Sequence, residues 1–365
     1  MGDNDKPTTG RILRGPGRRR KPRRRALRIT AWALAGAVVL GGVGLGYVYL
    51  RLNGNITGVD INAQLGKDRP KNIDNGSMDI LVLGSDSRAG KNGQYGRDEG
   101  GARSDTAMIV HLYNGHRKAT VVSIPRDTLV HRPACTKSDG TTVPASPSDM
   151  FNDAYSVGGP ACAVKTVESM TGIRMDHYIE VDFTGFKNLI NAMGGVPVTT
   201  TKPINDKDSH LDLPAGTHNL DGEQALGLVR TRHGVGDGSD LGRIQLQQAF
   251  VKALLGQAHD VGMLTNPAKL YDVADTATKA LTTDSELASV NALAGFASSL
   301  KDIGSGDLDM VTMPVQYDQT DPNRVVPMEG KAELVWSALR ADRPVPARAK
   351  QGSAGDEALA RGWVK

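Results

Sequence analysis

Aromatic side chains are scarce in this 365-residue chain: they make up 4% of it, with five Phe and three Trp. A core must therefore be built mainly from Val, Leu, Ile, Ala and Met, and glycine is plentiful at 43 residues. Only two cysteines occur, Cys135 and Cys162, and neither belongs to a C-x-x-C pair, which argues against zinc. There is no P-loop, and Ser85 lacks the full G-x-S-x-G setting of a nucleophile elbow. His111 and His116 flank a turn with no third ligand, and His233 is a lone candidate base among scattered histidines. Nucleotide-triphosphate hydrolysis, serine-hydrolase chemistry and zinc catalysis thus find no support. No internal repeat and no second domain boundary is visible.

The net charge of +4 hides two opposite regions. Residues 1–28 hold eleven Lys/Arg against two Asp (+9), and the remaining 337 hold 33 Lys/Arg against 38 Asp/Glu (−5). Between them lies an uncharged run, Ile29 to Leu50, long enough for the roughly 20 apolar residues that span a bilayer. The basic run Arg18 to Arg25 precedes it, so the positive-inside rule keeps the N-terminus cytoplasmic and exports the chain beyond Leu50. A cleaved signal fits less well, because the apolar run is long and has no A-x-A-like site after it. A nucleic-acid role for the basic run is disfavoured, since it abuts the span and has no interleaved aromatics. In an exported region the two cysteines are expected to form one disulfide, worth roughly 3–4 kcal/mol from loop closure. The expected organisation is a basic cytoplasmic tail (1–28), a transmembrane helix (29–50), a polar stalk (51–76), an extracytoplasmic domain (77–341) and a disordered C-terminal tail (342–365).

Within 77–341 the pattern is α/β. Asp79 to Gly84 reads as a strand. Thr106 to Tyr113 and Lys118 to Ile124 read as a hairpin around Asn114-Gly115, a strong turn signal. A Gly- and Arg-rich stretch, 88–104, reads as a mobile loop. Further strands are expected at Tyr178 to Val181, Val196 to Thr200 and Asp309 to Val315. Helices are expected at Pro160 to Met170, Thr184 to Met193, from a capping box at Asp221 through Val229, from Ser239-Asp240 to about His259, and at Lys331 to Leu339.

The hairpin brings the start of its first strand, Arg103-Ser104-Asp105, beside the end of its second, Pro125-Arg126-Asp127. If the strand ending at Gly84 runs parallel to the second, Asp86 and Arg88 arrive there too. Ligands of α/β sheets commonly sit at such strand ends. A fourth segment has the same character: Arg230, Arg232 and His233, then Asp240, Arg243 and Gln247 on one helical face. Six arginines (88, 103, 126, 230, 232, 243) in a net acidic domain suit bidentate phosphate contacts. Asp86 and Asp105 suit one Mg²⁺ (or Mn²⁺), which takes one or two carboxylates plus substrate phosphates. The constellation matches a pyrophosphate.

At these residues the sequence resembles the LytR-CpsA-Psr family of cell-wall proteins. The matching stretches are LVLGSDSR (81–88), RSDTAMIV (103–110), VVSIPRD (121–127), FNDAYSVGG (151–159), DHYIEVDFTGFKNLINAMGGVPV (176–198), LDGEQALGLVRTRH (220–233) and DLGRIQLQQ (240–248). The paired cysteines and long basic tail look like actinobacterial members. The resemblance implies a three-layer α-β-α sandwich with a central mixed sheet. It also implies a phosphotransferase that moves a glycopolymer from a polyprenyl-pyrophosphate carrier to peptidoglycan. The family's phosphate and metal positions fall on Asp86, Arg88, Asp105, Arg126, Arg230, Arg232, Arg243 and Gln247; Arg103 joins them as a further phosphate ligand. Asp240 or Asp127 would orient or deprotonate the acceptor. Leu246 departs from the family pattern, where many members carry Arg. A polyprenyl-pyrophosphate hydrolase and a membrane-bound transcriptional regulator are the alternatives.

Overall fold

The computed structural model describes residues 42–85, 104–233, 235, 238–260, 266–357 and 362–364. The chain divides into residues 1–50 and 51–365. Of the first unit, residues 42–50 are described; they are helical and expose Val43, Leu45, Tyr47 and Leu50. The basic tail and most of the expected span at 29–50 lie outside the described residues, as does nearly all of the 88–104 loop. Among the described residues no helix is long and apolar enough to cross a membrane.

The second unit is organised by a mixed seven-stranded sheet. Its strands are β1 (Thr57–Val59), β2 (Met78–Ser85), β3 (Ser104–Leu112), β4 (Ala119–Ile124), β5 (His177–Asp182), β6 (Leu281–Asp284) and β7 (Leu308–Thr312), in the order β1-β6-β5-β2-β3-β4-β7. The expected hairpin is β3–β4 around Asn114-Gly115, with Leu112 opposite Ala119. β2 is antiparallel to β3, so β2 and β4 point the same way. β5 runs parallel to β2 and β7 parallel to β4. Four strands therefore end on one edge of the sheet. All six residues of β4 are buried, which explains its unbroken Ala-Thr-Val-Val-Ser-Ile run: a strand covered on both faces needs no polar alternation.

Helices cover both faces. Leu81, Leu83, Ile109 and Val122 pack with Val164 and Val167 of α1 (Phe151–Thr171) and Val335 and Trp336 of a later helix (Glu329–Arg340). On the other face Ile80, Ala119 and Ile179 meet Leu293 and Phe296 of the helix Val290–Leu300. The layers make the expected α-β-α arrangement. A third core joins α2 (Phe183–Met193), α3 (Gly222–Arg230) and α4 (Asp240–Asp260) to the hairpin of Val196–Thr200 with Gly216–Leu220. Asp221 forms the expected capping box with Gln224. The cap of α2 is Asp182, which accepts from Gly185 N at 2.6 Å, so the helix starts one residue before the expected Thr184. α1 starts nine residues before the expected Pro160. Gly159 breaks it at φ 69°, a left-handed conformation open to glycine, just where Pro160 has no N–H to give.

Two expected flexible regions are built into the domain. The stretch 51–76 is not a free stalk. β1 pairs with β6, Leu52, Ile61 and Leu65 are buried, and Arg69 forks onto Glu168, with Nη2–Oε1 at 2.5 Å. Likewise 342–365 is not a disordered tail in its described part. Val345, Ala349 and Val364 are buried, and Thr201 N donates to Trp363 O. In both cases a few apolar side chains in a polar stretch find a core that local composition does not reveal. Cys135 and Cys162 are joined as a disulfide, tying α1 to the loop before it.

Candidate active site

The topology delivers the expected convergence. Ser85 lies opposite Ser104, and Ala107 opposite Ile124, so the ends of β2 and β4 meet the start of β3. Asp105 sits on β3 and Arg126 two residues past β4, and Arg126 Nη1 reaches Asp105 Oδ1 at 2.5 Å. α4 starts over this edge. Ser239 caps it through Gly242 N at 3.3 Å, and Arg243 Nη2 donates to Asp105 O at 3.0 Å. Asp86, Arg88 and Arg103 lie outside the described residues.

Asp240 is the hub. One carboxylate oxygen lies 2.6 Å from Arg243 Nη2, 3.2 Å from Arg232 Nη2 and 3.6 Å from Arg126 Nε. Among the described residues no aligned hydrogen bond reaches either Asp240 oxygen. It therefore holds the guanidinium groups by charge, while Arg126 Nη1 and Arg243 Nη2 give hydrogen bonds to Asp105. Arg126 Nε and Arg243 Nε are buried donors with no hydrogen-bond acceptor among the described residues. A buried N–H without an acceptor costs about 1–3 kcal/mol, so an anion reaching these two donors would be stabilised. Burial lowers the pKa of Arg243. Arg126 is raised: burial opposes its charge, but Asp105, Asp240 and Asp127 outweigh it. Burial would push Asp105 up, yet Arg243 and Arg126 hold it below the usual carboxylate range.

The remaining expected residues divide. Arg230, in the last turn of α3, places its guanidinium carbon 5.0 Å from the Phe183 ring. Gln247 is not available as a phosphate donor. Its amide gives one N–H to Thr106 Oγ1 (3.0 Å) and the other to Val229 O (2.9 Å), locking α4 to β3 and α3. Leu246 is buried among α2, α3 and the hairpin. Asp127 sits between Arg126 Nε (3.5 Å) and Arg324 Nη1 (4.0 Å). Asp105 is the one described ligand of the expected metal pair. It is held ionised, and its second oxygen makes no hydrogen bond among the described residues, which fits a hard cation.

Two residues escaped sequence reasoning. Asp206, 3% exposed, accepts from Arg232 N (2.8 Å) and His233 N (3.0 Å) and fixes the turn that presents Arg232. Arg324 arrives from a loop far along the chain. Neither belongs to a motif; only the fold brings them in. Beside the arginines lies an apolar cavity of about 170 Å³ walled by Val82, Phe183, Phe186, Phe250, Val251 and Leu254, with Asp105, Arg230 and Arg243 also in its wall.

The LytR_cpsA_psr family profile matches residues 48–340, and the chain belongs to this family. It is 33% identical over 316 residues to the cell wall biosynthesis protein LcpA of Corynebacterium glutamicum, covering 78% of this chain and 59% of that protein. It is 33% identical over 301 residues to the polyisoprenyl-teichoic acid–peptidoglycan teichoic acid transferase TagT of Bacillus subtilis, covering 79% and 87%. Among solved structures, Bacillus subtilis TagV superposes with a TM-score of 0.58 at 26% identity, covering 74% of this chain and 98% of that one. TagT bound to LIIa-WTA superposes with a TM-score of 0.57 at 26% identity, covering 78% and 98%. The chain spans about three-fifths of the length of LcpA and of a second Corynebacterium glutamicum relative, the probable cell wall biosynthesis protein LcpB.

Proposed function

We propose that this chain is a phosphotransferase that moves a glycopolymer from a polyprenyl-pyrophosphate carrier to peptidoglycan. The observation that carries this reading is the union of an apolar cavity with an arginine cluster in which Arg126 Nε and Arg243 Nε have no hydrogen-bond acceptor among the described residues. A lipid pyrophosphate needs both in one place. The relatives named for polyisoprenyl-linked teichoic acid transfer support the same assignment.

Arg126, Arg232 and Arg243, with Arg88, Arg103 and Arg230, would bind the pyrophosphate, and the aromatic and aliphatic wall would take the first isoprene units. A sugar hydroxyl of the acceptor attacks the polymer-side phosphorus. The phosphorus–oxygen bond to the lipid-side phosphate breaks, and polyprenyl phosphate leaves with the electron pair. The hydroxyl proton passes to Asp127 or to water. Asp240, shared by three guanidinium groups, acts as their counter-ion and organiser rather than as the base. Mg²⁺ held by Asp105 and Asp86 would offset charge on the phosphates. Arginines already placed around the developing charge stabilise it without rearrangement.

The acidic character of residues 29–365 and the apolar run at 29–50 support a single-pass anchor with the domain outside the cytoplasm. Protease access to the domain on intact protoplasts tests this; full protection would refute it. The activity itself is tested with purified lipid-linked polymer and peptidoglycan. A phosphodiester adduct is expected. Free phosphorylated polymer without adduct would instead favour hydrolysis.

A further inference from the structure

α4 lies over β3 and β4 between two cavities. One side carries Arg243, Phe250, Val251 and Leu254 on the wall of the apolar cavity. The residues Gln245, Gln248, Ala249 and Lys252 line a second cavity of about 340 Å³. At 3.6 residues per turn these two sets occupy roughly opposite faces of the helix. The far wall of the second cavity is Thr312, at the end of β7, with Ser353 and Gly355 of the C-terminal segment. Its volume falls within the range of about 300–1,000 Å³ that small-ligand pockets occupy.

The lining joins amides and hydroxyls, with Lys252, Lys350 and Asp356, to an aliphatic frame. Gln245 Nε2 donates to Gly355 O at 2.9 Å, while its Oε1 is buried with no hydrogen-bond partner among the described residues. Gln248 Nε2 reaches both Ser123 Oγ (3.1 Å) and Thr312 Oγ1 (3.2 Å). Lys350 is spent on Asp309 at 2.6 Å. The C-terminal wall is closely packed: a Cβ on Gly355 would sit 2.8 Å from Thr312 Cγ2. Among the described residues no arginine lines this cavity, unlike the one across the helix.

We propose that this second cavity is the subsite for the acceptor glycan, a strand of N-acetylated amino sugars. Sugar hydroxyl and acetamido groups match amides, hydroxyls, the Lys252 ammonium and the Asp356 carboxylate, and the apolar C–H face of a pyranose matches Ala249, Met310 and Val364. The position suits the chemistry as well. In phosphoryl transfer the attacking oxygen reaches phosphorus in line with the leaving one, so a glycan held here has to extend past the N-terminal end of α4, which begins at Asp240. Gln248 grips Ser123 on β4, and Arg126 lies three residues further on, so cavity and arginine cluster share one strand end. The inference rests on the phosphotransferase reading above.

The test uses the full-length protein in detergent micelles, with a soluble peptidoglycan oligosaccharide as one probe and lipid-free phosphorylated donor polymer as the other. Gln245→Leu and Lys252→Glu are expected to weaken oligosaccharide binding at least ~10-fold, and to raise the acceptor KM with the donor KM unchanged. Arg126→Ala is expected to leave oligosaccharide binding intact. Lys252 is partly exposed, so its variant keeps the fold if the Gln245 variant does not. Wild-type affinity for the oligosaccharide in both variants overturns the subsite, as does loss of donor-polymer binding in place of oligosaccharide binding. Wild-type protein that binds the oligosaccharide in this cavity yet forms no adduct refutes the phosphotransferase reading and leaves a glycan-binding cavity.

Discussion

Replacing Asp240 by Asn takes from three guanidinium groups the carboxylate they share. Arg243 and Arg232 lie within 3.2 Å of it and Arg126 within 3.6 Å, and the Arg243 side chain is only 4% exposed. Removing one partner of a buried ion pair costs about 3–5 kcal/mol, because the other charge stays buried without compensation. Asp105 still neutralises part of the cluster, with its carboxylate 2.5 Å from Arg126 and its backbone carbonyl 3.0 Å from Arg243. The lower end, about 3 kcal/mol, is therefore expected. For a domain of this size that lowers Tm by roughly 5–10 °C. The sign of the ligand effect is the sharper test. With its resident anion gone the cluster gains more from a bound one, so inorganic pyrophosphate should raise the Tm of Asp240→Asn more than that of the wild type. Thermal melts with and without pyrophosphate, on the full chain, read both quantities. Unchanged Tm and unchanged pyrophosphate response, together with a turnover loss of roughly 10³-fold or more, would refute the counter-ion role and return Asp240 to acid–base chemistry.

The same geometry sets other outcomes. Arg126→Ala should cut transfer at least ~100-fold by removing a donor aimed at the phosphate, with Tm shifted by only a few degrees; a collapse in stability would make Arg126 structural. Asp206→Ala strands the N–H groups of Arg232 and His233, so about 2–4 kcal/mol of stability should be lost in chemical denaturation; a loss below ~0.5 kcal/mol would show that the turn holds without it. Leu254→Arg, in the apolar wall, should raise the KM for the lipid-linked donor and leave pyrophosphate binding alone; equal effects on both would disconnect cavity from lipid. His111 lies between Asp79 and Asp342, and although burial opposes its charge, these carboxylates raise its pKa. Its folded value exceeds the unfolded value near 6.5, so its stabilisation is full below about pH 6.5 and fades as pH rises through the raised value. His111→Gln should flatten that alkaline decline in denaturant midpoints; an unchanged slope would mean that His111 does not titrate in the fold.

Local sequence was a good guide where the determining interactions are local. Asn114-Gly115 specifies a tight turn, the flanking apolar runs specify strands, and together they bring Asp105 and Arg126 to one edge. The Asp221 box and the Asp240–Asp260 helix come from caps and periodicity at short range. The misjudged stretches, 51–76 and 342–365, are poor in apolar residues. Their few anchors, such as Leu65 and Ala349, matter because a distant core accepts them. Gln247 fell between: its helical face was read correctly, but its donors go to Thr106 and Val229, partners that only packing supplies.

The sequence alone determined the charge division of the chain, the strand-end meeting of acidic and arginine motifs, and the family. These depend on composition, on turn chemistry and on residue spacing along one strand or helix. Tertiary structure decided which charged groups meet. Which guanidinium groups Asp240 meets, whether Gln247 has a free donor, and which face of α4 lines which cavity depend on distances of a few ångströms between elements far apart in the chain. Electrostatic and hydrogen-bond energies change steeply over those distances, and spacing along the sequence does not encode them.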